Sequence, residues 1–376
     1  MGQMSLADIC KHLKAAVIPR TPEDFVIAET FTLDLPDEEL KAGIAAFRSF
    51  LHTLYDSLAD NKDRFDVKTG KQSGTIPARF PIIEDLGAIL FQIGFHGSLE
   101  TEPRNELIIH GEDMLKVSKT QKYRHLNKLS KKRKMELFDF LSSLGFYFED
   151  ADFSDNVDFS KTGTFYVQYE NGDGVLTGLK LMALAQANVK AKYDRYSLII
   201  MRGDFYPLAN AEPKPQTINI TDYANTQPQE IKEWIVDLDR LLTETCKVDG
   251  KVQYSMCGGV FDYISRETKR LVCRVNILAR KCSVVPCANH FEVSDDILSE
   301  FTEGMFDVMR SRNRACRACS EVNEAGFVRC MYGGKPYGFV YEGEEFELCR
   351  FGGLEFLLGC AEEMRVIRGW IGRLAL

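Results

Sequence analysis

The chain has 376 residues, of which 45% are hydrophobic and 27% are charged, and its formal net charge is −8. This length predicts two domains, and the composition is that of a soluble globular protein. Lys and Arg number 26 against 30 Asp and Glu in residues 1–208, and 21 against 25 in the remainder, so neither half is a basic domain and a nucleic-acid partner is not expected at the scale of a domain.

The sequence also limits the compartment and the state of the cysteines. No apolar run approaches the ~20 residues of a transmembrane helix. The first twenty residues lack the apolar core of a signal peptide, so we expect a cytoplasmic protein without a membrane segment. In a reducing compartment the eleven cysteines are expected to be free thiols, catalytic groups or metal ligands rather than disulfides.

Helix and strand patterns alternate through the first half. Ser5 precedes a predicted helix over 6–16, the alternating residues 25–35 predict a strand, and the acids after Pro36 predict a helix reaching about residue 59. Two later segments, 84–95 and 135–146, share a Leu-x3-Leu-x3-Gly-Phe pattern and predict helices that end at glycine. The pair is either a small duplication or two helices that obey the same capping rule.

A polar segment rich in Pro, Asn, Gln and Thr separates the halves. We therefore predict a first domain over 1–208, a linker over 209–228 and a cysteine-rich second domain over 229–376. The second domain is predicted to contain a helix over 229–246, three consecutive antiparallel strands, a helix from Ser294 to about residue 310, a hairpin turning at Glu342-Gly343, and a last helix over 360–374. The fold class is thus α+β, with two domains that each combine antiparallel strands or hairpins with packed amphipathic helices.

Four cysteines of the second domain form the most specific chemical pattern. Their spacing is C-x2-C-x10-C-x18-C, and they are Cys316, Cys319, Cys330 and Cys349. Only the first pair has the short spacing typical of a zinc knuckle, so the alternatives are a structural zinc site and reduced cysteines of an ordinary core. The flanking residues Arg310, Arg312, Arg314 and Arg317 also leave open a reactive thiol of lowered pKa.

A second candidate site is a basic run over 116–134, which has nine Lys or Arg and no acid. Such a run can hold phosphate or RNA. The candidate ligands are Lys119, Lys122, Arg124, Lys131, Lys132 and Arg133. Because seven acids and no base follow in residues 135–160, the alternative is a solvated segment neutralised by its neighbour.

Two weaker patterns are interpreted as structural. Gly172, Gly174 and Gly178 depart by one residue from the dinucleotide fingerprint and follow a strand with one exposed face, which indicates an ordinary turn. His290 near Cys282 and Cys287 is a potential metal ligand, but a histidine at a strand edge beside core cysteines is the simpler interpretation.

The segments KLSKKRKMELFDFLSSLGFYF and TGLKLMALAQAN, with the pattern Cys319…Tyr337…Gly343…Cys349, resemble a family of uncharacterised bacterial proteins over most of the chain. The resemblance implies no activity and no site residues. Without a recognisable catalytic motif, the sequence predicts a non-enzymatic binding or regulatory protein with a protein partner. The alternatives are an enzyme with an active-site cleft between domains, and RNA or phosphate binding through 116–134.

Overall fold

The computed structural model describes most of the chain. The described residues are 5–18, 20–65, 81–102, 105–116, 129–151, 153, 157–189, 198–214, 220–255, 258–278, 281–286, 293–313, 337–349 and 353–375. The chain divides into two compact units, unit 1 over residues 1–217 and unit 2 over residues 218–376. Each contains antiparallel sheet and packed helices, so the predicted α+β class is confirmed. In the described ranges, no helix has both the length and the apolar character needed to cross a bilayer.

Unit 1 combines helices with a four-stranded antiparallel sheet. Its helices are α1 Leu6–Ala16, α2 Asp37–Asp60, α3 Lys62–Phe65, α4 Pro81–His96, α5 Lys131–Ser143, α6 Val175–Ala187 and α7 Leu198–Arg202. Its strands are β1 Ser98–Glu100, β2 Glu106–His110, β3 Phe146–Glu149 and β4 Thr164–Tyr169, in the order β1-β2-β4-β3. Ser5 and Asp8 form the capping box that starts α1, which confirms the predicted helix over 6–16.

The core of unit 1 depends on close contact between α2, α4 and α6. The helix α6 crosses α2 where Gly178 meets Gly43, and a Cβ atom on Gly178 would lie 2.6 Å from the Cβ of Phe47. Gly94 of α4 meets α6 in the same way, since an added Cβ would lie 2.6 Å from the carbonyl oxygen of Leu179. These glycines allow two almost fully buried helices to approach more closely than any larger residue permits.

Unit 2 is built on a five-stranded antiparallel sheet. Its helices are α8 Ile220–Ala224, α9 Gln229–Arg240 with one further π-helical turn at Leu241–Thr245, α10 Asp295–Leu298, α11 Glu303–Arg312 and α12 Ala361–Ala375. Its strands are β5 Val248–Ser255, β6 Gly258–Ser265, β7 Leu271–Leu278, β8 Lys281–Pro286, β9 Tyr337–Tyr341, β10 Glu344–Leu348 and β11 Phe356–Leu357. The sheet order is β11-β8-β7-β6-β5, while β9 and β10 form a separate hairpin. The three consecutive antiparallel strands predicted from the sequence are β6, β7 and β8.

Three predicted elements differ from the structure. Residues 25–35 do not form a strand but a connection with a 3-10 turn at Glu29–Phe31, and Leu33 and Asp34 have left-handed backbone angles. The predicted helix from Ser294 is two helices, α10 and α11, and the second has its own N-cap, Thr302. The predicted glycine stop holds for Gly145 after α5, but Gly94 lies inside α4, which continues to His96. At Gly94 the glycine serves helix packing rather than helix termination.

The predicted linker over 209–228 contains the division between the units, which lies between residues 217 and 218. Part of this segment is not solvated. Ile220, Tyr223 and Ala224 of α8 are buried in the apolar core of unit 2, and the Tyr223 ring packs edge-on against Phe261. The start of unit 2 thus lies several residues before the predicted residue 229.

Candidate metal centre

The hairpin β9–β10 places Cys349, the last of the four spaced cysteines. Glu342 and Gly343 form its two-residue turn with φ of 50° and 81°, as a type I′ turn requires. The strands pair from Tyr341 with Glu344 at the turn to Tyr337 with Leu348 at the open end. Cys349 follows β10 directly, so it lies at the open end of the hairpin.

The hairpin is fixed to the core of unit 2 through one face of β10. Phe346 and Leu348 are buried, at 1% and 2% exposure, and the ring of Phe339 stacks on Phe346 with centroids 5.2 Å apart. The residues on either side of Phe346, Glu345 and Glu347, are exposed. This alternation is that of a strand packed on one face, and it holds the residue after Leu348 in a defined place.

Asn313, the last described residue before 314–336, is bound to the middle of β10. Asn313 follows α11, and its side-chain amide donates to the carbonyl of Glu345 at 2.8 Å. Its side-chain oxygen accepts from the backbone N–H of Glu347 at 2.7 Å. The side chain of Asn313 therefore bonds to β10 as a neighbouring strand would, two residues before Cys349.

The first described residue after 314–336 also contacts β10. Tyr337 is the first residue of β9 and pairs with Leu348, the residue before Cys349. The described residues on either side of 314–336, Asn313 and Tyr337, thus both contact β10.

A polar network fixes the chain on the other side of Cys349. The Glu355 carboxylate lies just before β11, and its Oε1 accepts from the hydroxyl of Ser283 at 2.7 Å and from the amide of Asn276 at 3.2 Å. Its Oε2 forms an ion pair of 2.5 Å with the ammonium of Lys281. Ser283 is fully buried and Asn276 is 9% exposed. Burial of these groups is tolerated because each has a partner.

The same contacts determine the charge state of Glu355. Burial by itself raises the pKa of this carboxyl, but the hydrogen bonds from Lys281 and Ser283 and the positive charge of Lys281 outweigh it and lower the pKa below its ordinary value. Glu355 is therefore ionised at neutral pH, and its ion pair with Lys281 joins the segment before β11 to β8.

Comparison of the chain with family models, curated proteins and solved structures found no match. The resemblance to a bacterial family therefore stays a prediction. The chemistry of the centre rests on its own geometry.

Only one of the four predicted metal ligands is among the described residues. Cys316, Cys319 and Cys330 lie outside the described residues, whereas Cys349 is half-buried and not in a disulfide. Across the described ranges no three His, Cys, Asp or Glu side chains form a group able to hold a metal. Zinc binding by the four cysteines accordingly stays a hypothesis.

The prediction that Arg310 activates these thiols does not fit its position. The guanidinium of Arg310 pairs with Glu303 at 2.5 Å, with Asp307 at 3.2 Å and with Glu344 at 3.2 Å. Glu344 lies beside the turn of the hairpin, at the opposite end from Cys349. The charge of Arg310 is thus balanced by three carboxylates, and its contact with β10 is at the end opposite Cys349.

The second cysteine pattern does not form a site that includes Cys282. This thiol faces the apolar core of unit 2 from β8, and burial raises its pKa to about 12. A thiol of that pKa is protonated at neutral pH and is a poor nucleophile. Cys287 and His290 lie outside the described residues.

Of the predicted phosphate ligands, Lys119, Lys122 and Arg124 lie outside the described residues, and Lys131 and Lys132 are exposed in the first turn of α5. Arg133 is not free for phosphate, because it donates to the buried carboxylate of Asp85 at 2.9 Å and pairs with Glu136 at 3.4 Å. Because Arg133 pairs with a buried carboxylate, its contacts are those of a structural residue.

The dinucleotide alternative is excluded by strand direction. The glycine-rich turn before α6 follows β4, which is antiparallel to both β2 and β3. The fingerprint needs a parallel strand in a βαβ unit, so Gly172 and Gly174 form an ordinary turn with positive φ.

Sequence reasoning did not single out Asn313 or the network around Glu355. The bonds of Asn313 span 32 and 34 residues, and the hydrogen bonds of Glu355 span 72 and 79 residues, so no local pattern reveals them. One signal was present in β7 and β8. Asn276 and Ser283 are polar residues at buried positions of these strands, and buried polar side chains need partners.

Proposed function

We propose that unit 2 is a non-enzymatic binding module whose fold is stabilised by one structural zinc ion, held by Cys316, Cys319, Cys330 and Cys349. The observation that supports this proposal is that Asn313 and Tyr337, the described residues on either side of 314–336, both contact β10, the strand that ends just before Cys349. Asn313 makes its contact through Glu345 and Glu347, and Tyr337 through the β9–β10 pairing.

Chain reach is consistent with a single centre. Three residues separate Asn313 from Cys316, which corresponds to at most ~10 Å of extended chain. Two residues separate Glu347 from Cys349, which adds at most ~7 Å. Cys319 and Cys330 lie between Asn313 and Tyr337 in the sequence.

The donor set indicates the role of the metal. Four thiolates complete the tetrahedral coordination that zinc prefers and leave no position for water or substrate. A site of this kind contributes folding free energy rather than catalysis. This supports a binding module rather than a zinc hydrolase.

The decisive experiment is native mass spectrometry of the protein purified without chelator. We expect one zinc per chain. In Cys349→Ser the zinc should be lost or strongly weakened, because the anchored fourth ligand is removed. A matched control is Cys360→Ser, which changes an exposed cysteine of the same unit and should retain the metal.

Stability provides a second readout. Trp234 and Trp370 are the only tryptophans in the sequence and both lie in unit 2, so tryptophan fluorescence reports the unfolding of this unit. A chelator should lower the melting temperature seen by fluorescence in wild type and in Cys360→Ser but not in Cys349→Ser. Metal-free wild type, or zinc retained by Cys349→Ser, would refute the proposal.

A further inference from the structure

The five-stranded sheet of unit 2 has an open edge at β5. This strand is eight residues long and, within the described ranges, pairs only with β6. Asp249, Gly250 and Lys251 are exposed. A long edge strand of this kind is a template for another strand unless its side chains prevent pairing.

The hydrogen-bond direction of β5 follows from that of β6. The N–H of Ser265 donates to the carbonyl of Arg270, so the backbone of Ser265 faces β7. Backbone groups alternate along a strand, and the β5–β6 register runs without a break from the pair Val248–Ser265 to the pair Ser255–Gly258. The N–H and C=O groups of Val248, Gly250 and Val252 therefore face the open edge.

Charge selects one register for an identical strand. In an antiparallel pair centred on Gly250, Val248 stands opposite Val252 of the second copy, and Gly250 opposite its equivalent. All of these residues direct their backbone groups to the edge, so these pairs are hydrogen-bonded. Between them Asp249 stands opposite Lys251 of the second copy, and Lys251 opposite its Asp249.

The neighbouring registers are unfavourable. A shift of the centre by one residue places Asp249 opposite Asp249 or Lys251 opposite Lys251, and like charges directly opposite each other destabilise a strand pair. Asp249 already bonds Arg266 through Oδ1 at 2.6 Å, with both side chains about half exposed. In the register centred on Gly250, the Asp249 carboxylate also meets the ammonium of Lys251 from the second copy.

We propose that β5 is a self-association edge, through which two copies of the chain join their sheets into one by antiparallel pairing about a two-fold axis at Gly250. The same surface serves both copies, as in a closed symmetric dimer. Three hydrogen-bonded residue pairs and two Asp249–Lys251 pairs hold the junction. This proposal does not depend on zinc.

Sedimentation velocity of the full chain tests the proposal. Wild type should sediment with twice the mass of one chain at high concentration and dissociate on dilution. Lys251→Asp and Asp249→Lys should each weaken association at least about tenfold, because each places like charges opposite one another. The double variant Asp249→Lys/Lys251→Asp restores opposite charges and should recover the dimer.

A backbone variant separates strand pairing from surface charge. Val252→Pro removes an N–H that faces the edge and leaves the β5–β6 ladder intact, so it should yield a folded monomer. Circular dichroism and retained tryptophan fluorescence confirm folding. Wild type that is monomeric up to about 100 µM, single charge variants that remain dimeric, or a double variant that does not recover would each overturn the proposal.

Discussion

The two units use their polar side chains differently. In unit 1 one buried and one half-buried cation complete the ends of helices. Arg202, which is 1% exposed, donates to the carbonyl of Ala16 at the end of α1, and Lys180 donates to the carbonyls of Phe95 and Gly97 at the end of α4. These carbonyls have no partner within their own helix, and a cation is favoured there by the helix dipole.

In unit 2 partly exposed polar side chains instead connect strands and fix chain segments distant in sequence. Glu355 joins β7 and β8 to the segment before β11, and Asn313 joins the end of α11 to β10. Both sets of bonds flank Cys349. Polar contacts thus complete helix ends in unit 1, whereas in unit 2 they hold the chain on both sides of one cysteine.

The strongest test of the contrast concerns helix packing in unit 1. Gly178→Ala places a methyl group against the backbone of Gly43 and the side chain of Phe47, and both helices must separate. We expect a loss of about 3 kcal/mol or more in the free energy of unfolding of unit 1. Hydrogen exchange of peptides from α2 and α6 measures it.

A matched glycine lies in unit 2. Gly369 is exposed within α12, and an added Cβ meets no atom within 4 Å. Gly369→Ala should therefore stabilise α12 by up to about 1 kcal/mol. Equal protection of α2 and α6 in wild type and Gly178→Ala would show that the crossing tolerates the methyl group.

The second test uses the buried histidine of unit 1. His12 is 5% exposed, its Nε2 has no hydrogen-bond partner among the described residues, and burial together with the charge of Arg202 lowers its pKa to about 4. In the unfolded chain His12 has a pKa near 6.5, so above that pH the imidazole is neutral in both states and costs the folded state nothing. As the pH falls from 6.5 to 4, the unfolded chain takes up a proton that the folded chain does not, and the free energy of unfolding falls by about 3 kcal/mol.

Urea unfolding at several pH values checks this. In His12→Gln the pH dependence between 6.5 and 4 should flatten, while His110→Gln, which changes an exposed histidine of β2, should keep the wild-type slope. If His12→Gln and wild type lose stability in parallel, acid sensitivity originates elsewhere.

The smallest expected effect concerns the network of unit 2. Glu355→Gln keeps the shape of the side chain but removes the charge that pairs with Lys281, which is partly exposed. We expect a loss of about 1–2 kcal/mol, measured by tryptophan fluorescence in urea. Glu347→Gln, an exposed change on β10, is the control. An unchanged midpoint for Glu355→Gln would mean that the ion pair contributes nothing to unit 2.

Local sequence patterns correctly predicted the elements whose contacts lie within a few residues of one another. The capping box at Ser5 and the turn at Glu342-Gly343 are complete within a few residues, and both form as the sequence indicates. The strand predicted for residues 25–35 was wrong because alternating apolar residues indicate burial but not strand pairing. Phe25, Ile27 and Phe31 are buried, yet no neighbouring strand pairs with them in the described structure. A strand needs a partner, and the choice of partner is not local.

The same limit applies to the candidate centre. The spacing of Cys316, Cys319, Cys330 and Cys349 indicated metal ligands but gave no reason for the long separation of the last one. The reason is the hairpin that lies between Cys330 and Cys349 and brings the chain back. Asn313 supports it through contacts that no sequence window contains.

The contacts of Asn313 and Tyr337 with β10 also imply an order of assembly. A β-hairpin with a two-residue turn forms within microseconds, faster than ligands separated along the chain can find one another. Once β9 and β10 pair, much of the conformational entropy that would oppose gathering distant thiols has already been lost. A metal ion would then bind a nearly prepared site late in folding, and a chain with a damaged hairpin would have intact cysteines and still bind the ion poorly.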